Sequence, residues 1–104
     1  MAEQAQQAAA TPNTSEISPD QRMAILKAIS DSRRLEILER LGKSTCAACS
    51  DMREYLPISA ATLSHHLKEL EAAGLISITR EGKFARLALR REIWQAFLAS
   101  LQKL

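Results

Sequence analysis

Residues 59–76 read Ser-Ala-Ala-Thr-Leu-Ser-His-His-Leu-Lys-Glu-Leu-Glu-Ala-Ala-Gly-Leu-Ile, and the rest of the chain is most easily understood from this stretch. Ser59 is an N-cap residue and Gly74 a helix terminator. Between them Leu63, Leu67 and Leu70 recur every three or four positions, which predicts a helix over residues 60–73 with a leucine stripe facing inward. At about 100° per residue, Ala61, Thr62, Ser64, His65, Lys68 and Glu69 point away from that stripe, with His66 at its edge. The outward face is therefore small and polar, and it lets a backbone approach another polar surface closely.

Toward the N-terminus, Leu56-Pro57-Ile58-Ser59 is a tight connection. It follows a short helical segment expected from about Cys46 to Leu56, anchored by Met52, Tyr55 and Leu56 and stopped by Pro57. Two helices joined so closely form a helix-turn-helix. On the other side, residues 75–80 and 84–89 alternate apolar and polar around Glu81-Gly82-Lys83, the pattern of a hairpin with glycine in its turn. Arg80, Lys83 and Arg86 make this hairpin basic.

Farther out, Ser18-Pro19-Asp20-Gln21 has the form of a capping box opening a helix. That helix carries Met23, Ile25, Leu26 and Ile29 on one broad face. Asp31 can cap a second helix bearing Leu35, Ile37, Leu38 and Leu41, expected to end before Gly42. Residues 90–104 read as a last helix with an apolar stripe of Ile93, Trp94, Phe97, Leu98, Leu101 and Leu104. The order predicts a mainly α fold with a small β-hairpin: a winged helix-turn-helix of five helices plus a two-stranded wing.

In that fold the second helix of the helix-turn-helix can lie in a major groove of double-stranded DNA. Ser59, Ala60, Thr62, Ser64 and His65 would then stand at base edges or phosphates, with Lys68 on a phosphate. The first-turn amides behind Ser59 offer a further phosphate site. Arg80, Lys83 and Arg86 would track the backbone or enter the minor groove. The plainer alternatives are a solvated helix face and a merely charged hairpin.

A chain of 104 residues holds one small domain. Residues 1–16 are Ala-, Gln- and Thr/Ser/Asn-rich, with Glu3 and Glu16 and no Lys or Arg, and read as a flexible tail. Residues 17–104 form the domain and carry 14 basic against 10 acidic residues, a bias that permits nucleic-acid binding without demanding it. Two cysteines are too few for a stapled secreted scaffold, and no stretch is apolar enough to span a membrane. The expectation is a cytoplasmic, reduced protein. There is no phosphate-binding glycine loop and no Ser/His/Asp set, and three glycines suit a helical domain better than a catalytic α/β one.

Two stretches and the wing carry a resemblance. Ile29-Ser30-Asp31-Ser32-Arg33-Arg34-Leu35-Glu36-Ile37-Leu38 is similar to a "LADPTRLRIL" run, and residues 59–76 look like the signature S-x-H-L-x-x-L-x-x-A-G-L-[IV]. The wing REGKFARLAL, residues 80–89, also fits. Together they cover roughly residues 20–100 and resemble the ArsR/SmtB family of small winged-helix transcriptional repressors. The resemblance implies a homodimer that binds a palindromic operator and is released by an inducer, often a metal ion. The residues agree on the dimer: a small domain has little with which to cover Trp94, Phe97, Leu98 and Leu101, and Met23, Leu26 and Ile29 of the first helix are natural companions. The alternative is that both terminal helices pack on their own core.

The family's sensing residues do not carry over directly. Members with "ELCVCDL", aligned on Asp51, place their cysteines at Ala48 and Ser50, whereas this chain has Cys46-Ala47-Ala48-Cys49. The zinc- or nickel-type site of other members needs His, Asp and Glu on the last helix, where residues 90–104 offer only Glu92. Cys46 and Cys49, read at i and i+3 near a helix start, would lie on one side with thiolates favoured by the helix end. Three readings stay open for them: binding of a thiophilic ion (arsenite, cadmium or zinc) with ligands added from elsewhere, oxidation to a disulfide, or inert small core residues. His65 and His66 read as a DNA contact and a partly buried edge residue rather than as metal ligands. Outside this class stand a thiol oxidoreductase built on Cys46-x-x-Cys49, which lacks the preceding strand such enzymes have, and a winged-helix module that binds protein instead of DNA.

Overall fold

The computed structural model describes residues 16–43 and 47–104. The tail read over residues 1–16 lies outside this range but for Glu16, and so does Cys46. The elements are α1 (Pro19–Ile29), α2 (Ser32–Gly42), β1 (Ala47–Ala48), α3 (Cys49–Tyr55), α4 (Ala60–Ala72), β2 (Ile76–Glu81), β3 (Phe84–Leu89) and α5 (Arg91–Gln102). Among the described residues this is a mainly α winged helix-turn-helix with five helices and a β2–β3 hairpin as the wing.

The helix starts follow the capping residues. Ser18 Oγ accepts the amide of Gln21 at 3.0 Å, and Asp31 Oδ1 accepts those of Arg33 and Arg34 at 2.8 and 3.1 Å. Ser59 Oγ accepts the Thr62 amide at 3.1 Å. The end of α4 is a Schellman motif: the Gly74 amide donates to the Glu71 carbonyl at 2.9 Å and the Leu75 amide to the Leu70 carbonyl at 3.1 Å. Leu70 and Leu75, which this geometry brings together, are fully buried. Gly74 has φ of +84°, and a Cβ there would stand 2.8 Å from the side-chain nitrogen of Gln21.

The core fills the space between α1, α2, α4, the sheet and α5. Ile25, Ile37, Leu41, Leu63, Leu70, Leu75, Ile76, Leu87 and Phe97 are its largest fully buried side chains. Each contributes about 1.5–3 kcal/mol relative to an exposed position. The wing is antiparallel, running from Ile76 opposite Leu89 to Glu81 opposite Phe84, and Gly82 at φ of +60° provides the positive φ that tight hairpin loops require.

Two local expectations are corrected. The segment before the turn does not begin as a helix at Cys46: Ala47–Ala48 are extended and pair antiparallel with Leu87 and Arg86, so the sheet has three strands in the order β1-β3-β2. The pairing satisfies the outer edge of β3, which the hairpin alone leaves open, and α3 starts only at Cys49. Ala47 and Ala48, which separate the two cysteines in the sequence, are therefore extended rather than helical, and Cys46 itself lies outside the described residues. Second, Gly42 does not stop α2 in the left-handed region. It is the last helical residue, Lys43 closes the helix in the right-handed region, and the Gly42 carbonyl accepts from Arg91 Nη2 at 3.2 Å.

Candidate nucleic-acid interface

Leu63, Leu67 and Leu70 of α4 are buried, while Ala60, Ala61, Thr62, Ser64, His65, Lys68 and Glu69 are exposed. The polar face read from the helical period is thus the face that the fold leaves open. It is presented by the turn between α3 and α4. Leu56 is buried and its amide closes α3 on the Met52 carbonyl, and the Ile58 amide donates to the Leu56 carbonyl at 2.8 Å across Pro57. The Ser59 hydroxyl also donates to Thr62 Oγ1 at 3.0 Å, so its one proton is used within the turn.

The wing's basic residues divide by strand alternation. Arg80 pairs in register with Ala85 and turns toward α4, where an open cleft of about 280 Å³ lies between Ser64, Lys68 and Glu71 on the helix and Ile78, Arg80 and Ala85 on the hairpin. Arg80, Lys68 and Glu71 thus line one and the same cleft. Arg86 pairs with Thr79 on the opposite face, and its Nε donates to Glu81 Oε1 at 2.8 Å. Because both partners are more than half exposed, that ion pair contributes little stability, about 0–1 kcal/mol. It does offset the Arg86 charge at the wing. Lys83 is exposed at the tip next to Phe84, an aromatic 64% exposed that the sequence reading did not single out.

His66 is buried rather than merely at the edge, with 8% of its surface exposed, and its Nδ1 lies 3.4 Å from Arg34 Nη1. Arg34 belongs to the Ile29–Leu38 run, but nothing local in the sequence pairs it with a residue 32 positions away. Asp31, which caps α2 beside it, has its carboxyl held below the ordinary value chiefly by the Arg34 amide. Partial burial opposes this, and the Arg33 amide adds to it.

The apolar face proposed from the terminal helices is present in part. Met23, Leu26 and Leu98 are 52%, 36% and 41% exposed, and Ile29, Trp94 and Leu101 are half-buried. Phe97 instead turns fully into the chain's own core, with its ring centroid 5.5 Å from that of Trp94. A shallow cleft between the start of α1 and the end of α5 is lined by Ile17, Pro19, Arg22, Ser100, Lys103 and Leu104. Among the described residues no group of three or more His, Cys, Asp and Glu is placed to hold a metal ion, and no helix is long and apolar enough to cross a membrane.

A buried leucine edge, an exposed polar face, a tight turn before it and a basic hairpin after it define a winged helix-turn-helix regulator. A family model described as a helix-turn-helix domain matches residues 20–79. The chain is 45% identical over 58 residues to the arsenical resistance operon repressor of Staphylococcus aureus, a match that covers 56% of this chain and 55% of that protein. It is 38% identical over 71 residues to the transcriptional repressor SdpR of Bacillus subtilis, covering 68% of this chain and 78% of that one. Among solved structures it superposes, with a TM-score of 0.66 and 28% identity, on the homodimeric winged helix-turn-helix DNA-binding domain of a possible ArsR-family transcriptional regulator from Mycobacterium bovis. That match covers 81% of this chain and 76% of the other. The chain belongs to the ArsR family of winged helix-turn-helix transcriptional regulators. The aligned stretch spans about half the length of the arsenical repressor.

Proposed function

We propose that this chain is a cytoplasmic, non-catalytic repressor that binds a palindromic DNA operator as a homodimer and is released by an effector at Cys46 and Cys49. The observation that carries the DNA reading is the exposed face of α4, with Thr62, Ser64 and His65 at its centre and Lys68 converging with Arg80 at its edge. Small and hydroxyl side chains allow close approach to base edges, and the two cations suit flanking phosphates. Ser59 and Ala60 place the first turn of α4 at the duplex, while Lys83 and Arg86 follow the backbone from the wing.

The homodimer reading rests on Met23, Leu26 and Leu98, large apolar side chains left exposed on α1 and α5, with Ile29, Trp94 and Leu101 of the same helices half-buried. The homodimeric M. bovis domain supports the same reading. Phe97 backs this face from within the protomer rather than forming part of it.

The effector reading rests on the name of the S. aureus relative and on Cys49 heading α3, the helix directly before the recognition helix. Cys46 and Cys49 are soft donors for arsenite, cadmium or zinc, but they are only two, and a closed site needs further ligands from outside this pair. Fluorescence anisotropy on the DNA upstream of the protein's own gene tests the whole reading. Reduced protein should bind with an affinity that falls steeply with salt, and one thiophilic ion should abolish binding in the wild type but not in Cys46→Ser/Cys49→Ser. Equal release of both proteins removes the cysteines from the mechanism. Salt-independent binding or none contradicts DNA recognition itself.

A further inference from the structure

We propose that Arg34 is a positioning residue for DNA recognition: through Nδ1 of His66 its guanidinium fixes the rotation of α4 against the C-terminal end of α1. The inference rests on α4 being the DNA-reading helix and adds a device that no helical pattern displays.

His66 is the one buried side chain among the described residues that is polar or charged. An imidazole buried without a partner is costly, and Arg34 Nη1, 3.4 Å from Nδ1, provides the partner. A guanidinium carries donors only and stays charged, so Nδ1 must offer its lone pair and Nε2 must hold the proton. The same guanidinium donates from Nε to the Ala28 carbonyl at 2.7 Å. Ala28 sits in the last turn of α1, where carbonyls lack helical partners. Asp31 fixes the backbone of Arg34 from the other side by accepting its amide. One side chain thus joins the end of α1, the start of α2 and the middle of α4.

The consequence for recognition follows from the kind of force involved. The leucine edge of α4 is held by hydrophobic contact, which is non-directional and tolerates a small roll of the helix. A hydrogen bond between a charged donor and one ring nitrogen is directional. His66 is adjacent to His65 and one helical turn beyond Thr62, so a roll that displaces the His66 ring displaces both exposed groups. Since α1 is also a helix of the proposed dimer face, a shift of α1 on its partner reaches α4 through Arg34.

The test combines imidazole NMR with operator affinity. Long-range proton–nitrogen spectra of the wild type should show His66 protonated at Nε2 with a free lone pair on Nδ1, and Arg34→Met should relax that preference. Arg34→Met and His66→Phe should each weaken operator binding roughly tenfold, and the double variant should be no worse than either single one. His66→Asn, which keeps an acceptor near the Nδ1 position, should stay within about twofold of the wild type. A His66 protonated at Nδ1 in the wild type overturns the proposal without recourse to any variant. So does a double variant whose loss is the sum of the two. If the wild type binds no DNA, the DNA reading fails while the NMR result still decides whether the Arg34–His66 contact exists.

Discussion

Helix α4 and the face shared by α1 and α5 are both amphipathic, yet the fold leaves them in different states. On α4 the apolar edge is wholly buried, both ends are capped, His66 is held by Arg34, and only small or polar groups remain outside. On α1 and α5 large apolar side chains stay exposed beside half-buried ones. The first surface is complete as it stands and suited to a hydrated, charged partner such as a phosphate backbone. The second resembles a core with one side missing. The difference is what the proposed function draws on: the first surface is assigned there to nucleic acid and the second to another copy of the chain.

The sharpest way to break this contrast uses two neighbours on α5. Phe97 is 1% exposed and Leu98 is 41% exposed. Phe97→Ala should cost about 3–5 kcal/mol in chemical unfolding, as a buried aromatic does. Leu98→Glu should leave the helical circular dichroism spectrum in place while shifting the sedimenting species from dimer to monomer. A Leu98→Glu protein that still sediments as a dimer removes α5 from the pairing face. Gly74→Ala probes the closure of α4 with a smaller effect. A side chain at φ of +84° is strained by about 1–2 kcal/mol, read as a lower thermal midpoint, and an unchanged midpoint means that the turn after α4 is not held as described.

The smallest effect is at acid pH. Asp31 has its carboxyl lowered from 3.8 in the folded chain, so it binds its proton more weakly folded than unfolded. Its contribution is therefore complete above the unfolded value and is lost as pH falls through the folded one. Unfolding of the wild type should gain acid sensitivity below about pH 4 that Asp31→Asn lacks. Identical acid profiles for the two proteins contradict the capping role of the carboxylate.

What could be read in advance follows the range of the forces. α4 was legible because its caps, its stripe and its Gly74 terminator are all local, and the exposed face followed from the period alone. The wing was legible for the same reason, including the exposure of Arg80, Lys83 and Arg86. Strand alternation could also have separated Arg80 from Arg86 and placed Arg86 beside Glu81. β1 was not legible, because two alanines become a strand only when the open edge of β3 lies alongside. Phe97 falls between Trp94 and Leu98 on a wide apolar arc, so the helical period alone puts it on the dimer stripe, and its inward rotation is set by packing with the rest of the core. The Arg34–His66 contact joins positions far apart in the chain and leaves no periodic trace.

In the proposed function, two copies of this domain place their α4 helices in successive major grooves. Methylation protection on the DNA upstream of the gene tests this directly. Two symmetric protected patches in the major groove, centred about one helical turn or ~34 Å apart, are the predicted result. A single patch, or no protection at protein concentrations where the chain is folded and dimeric, would contradict it.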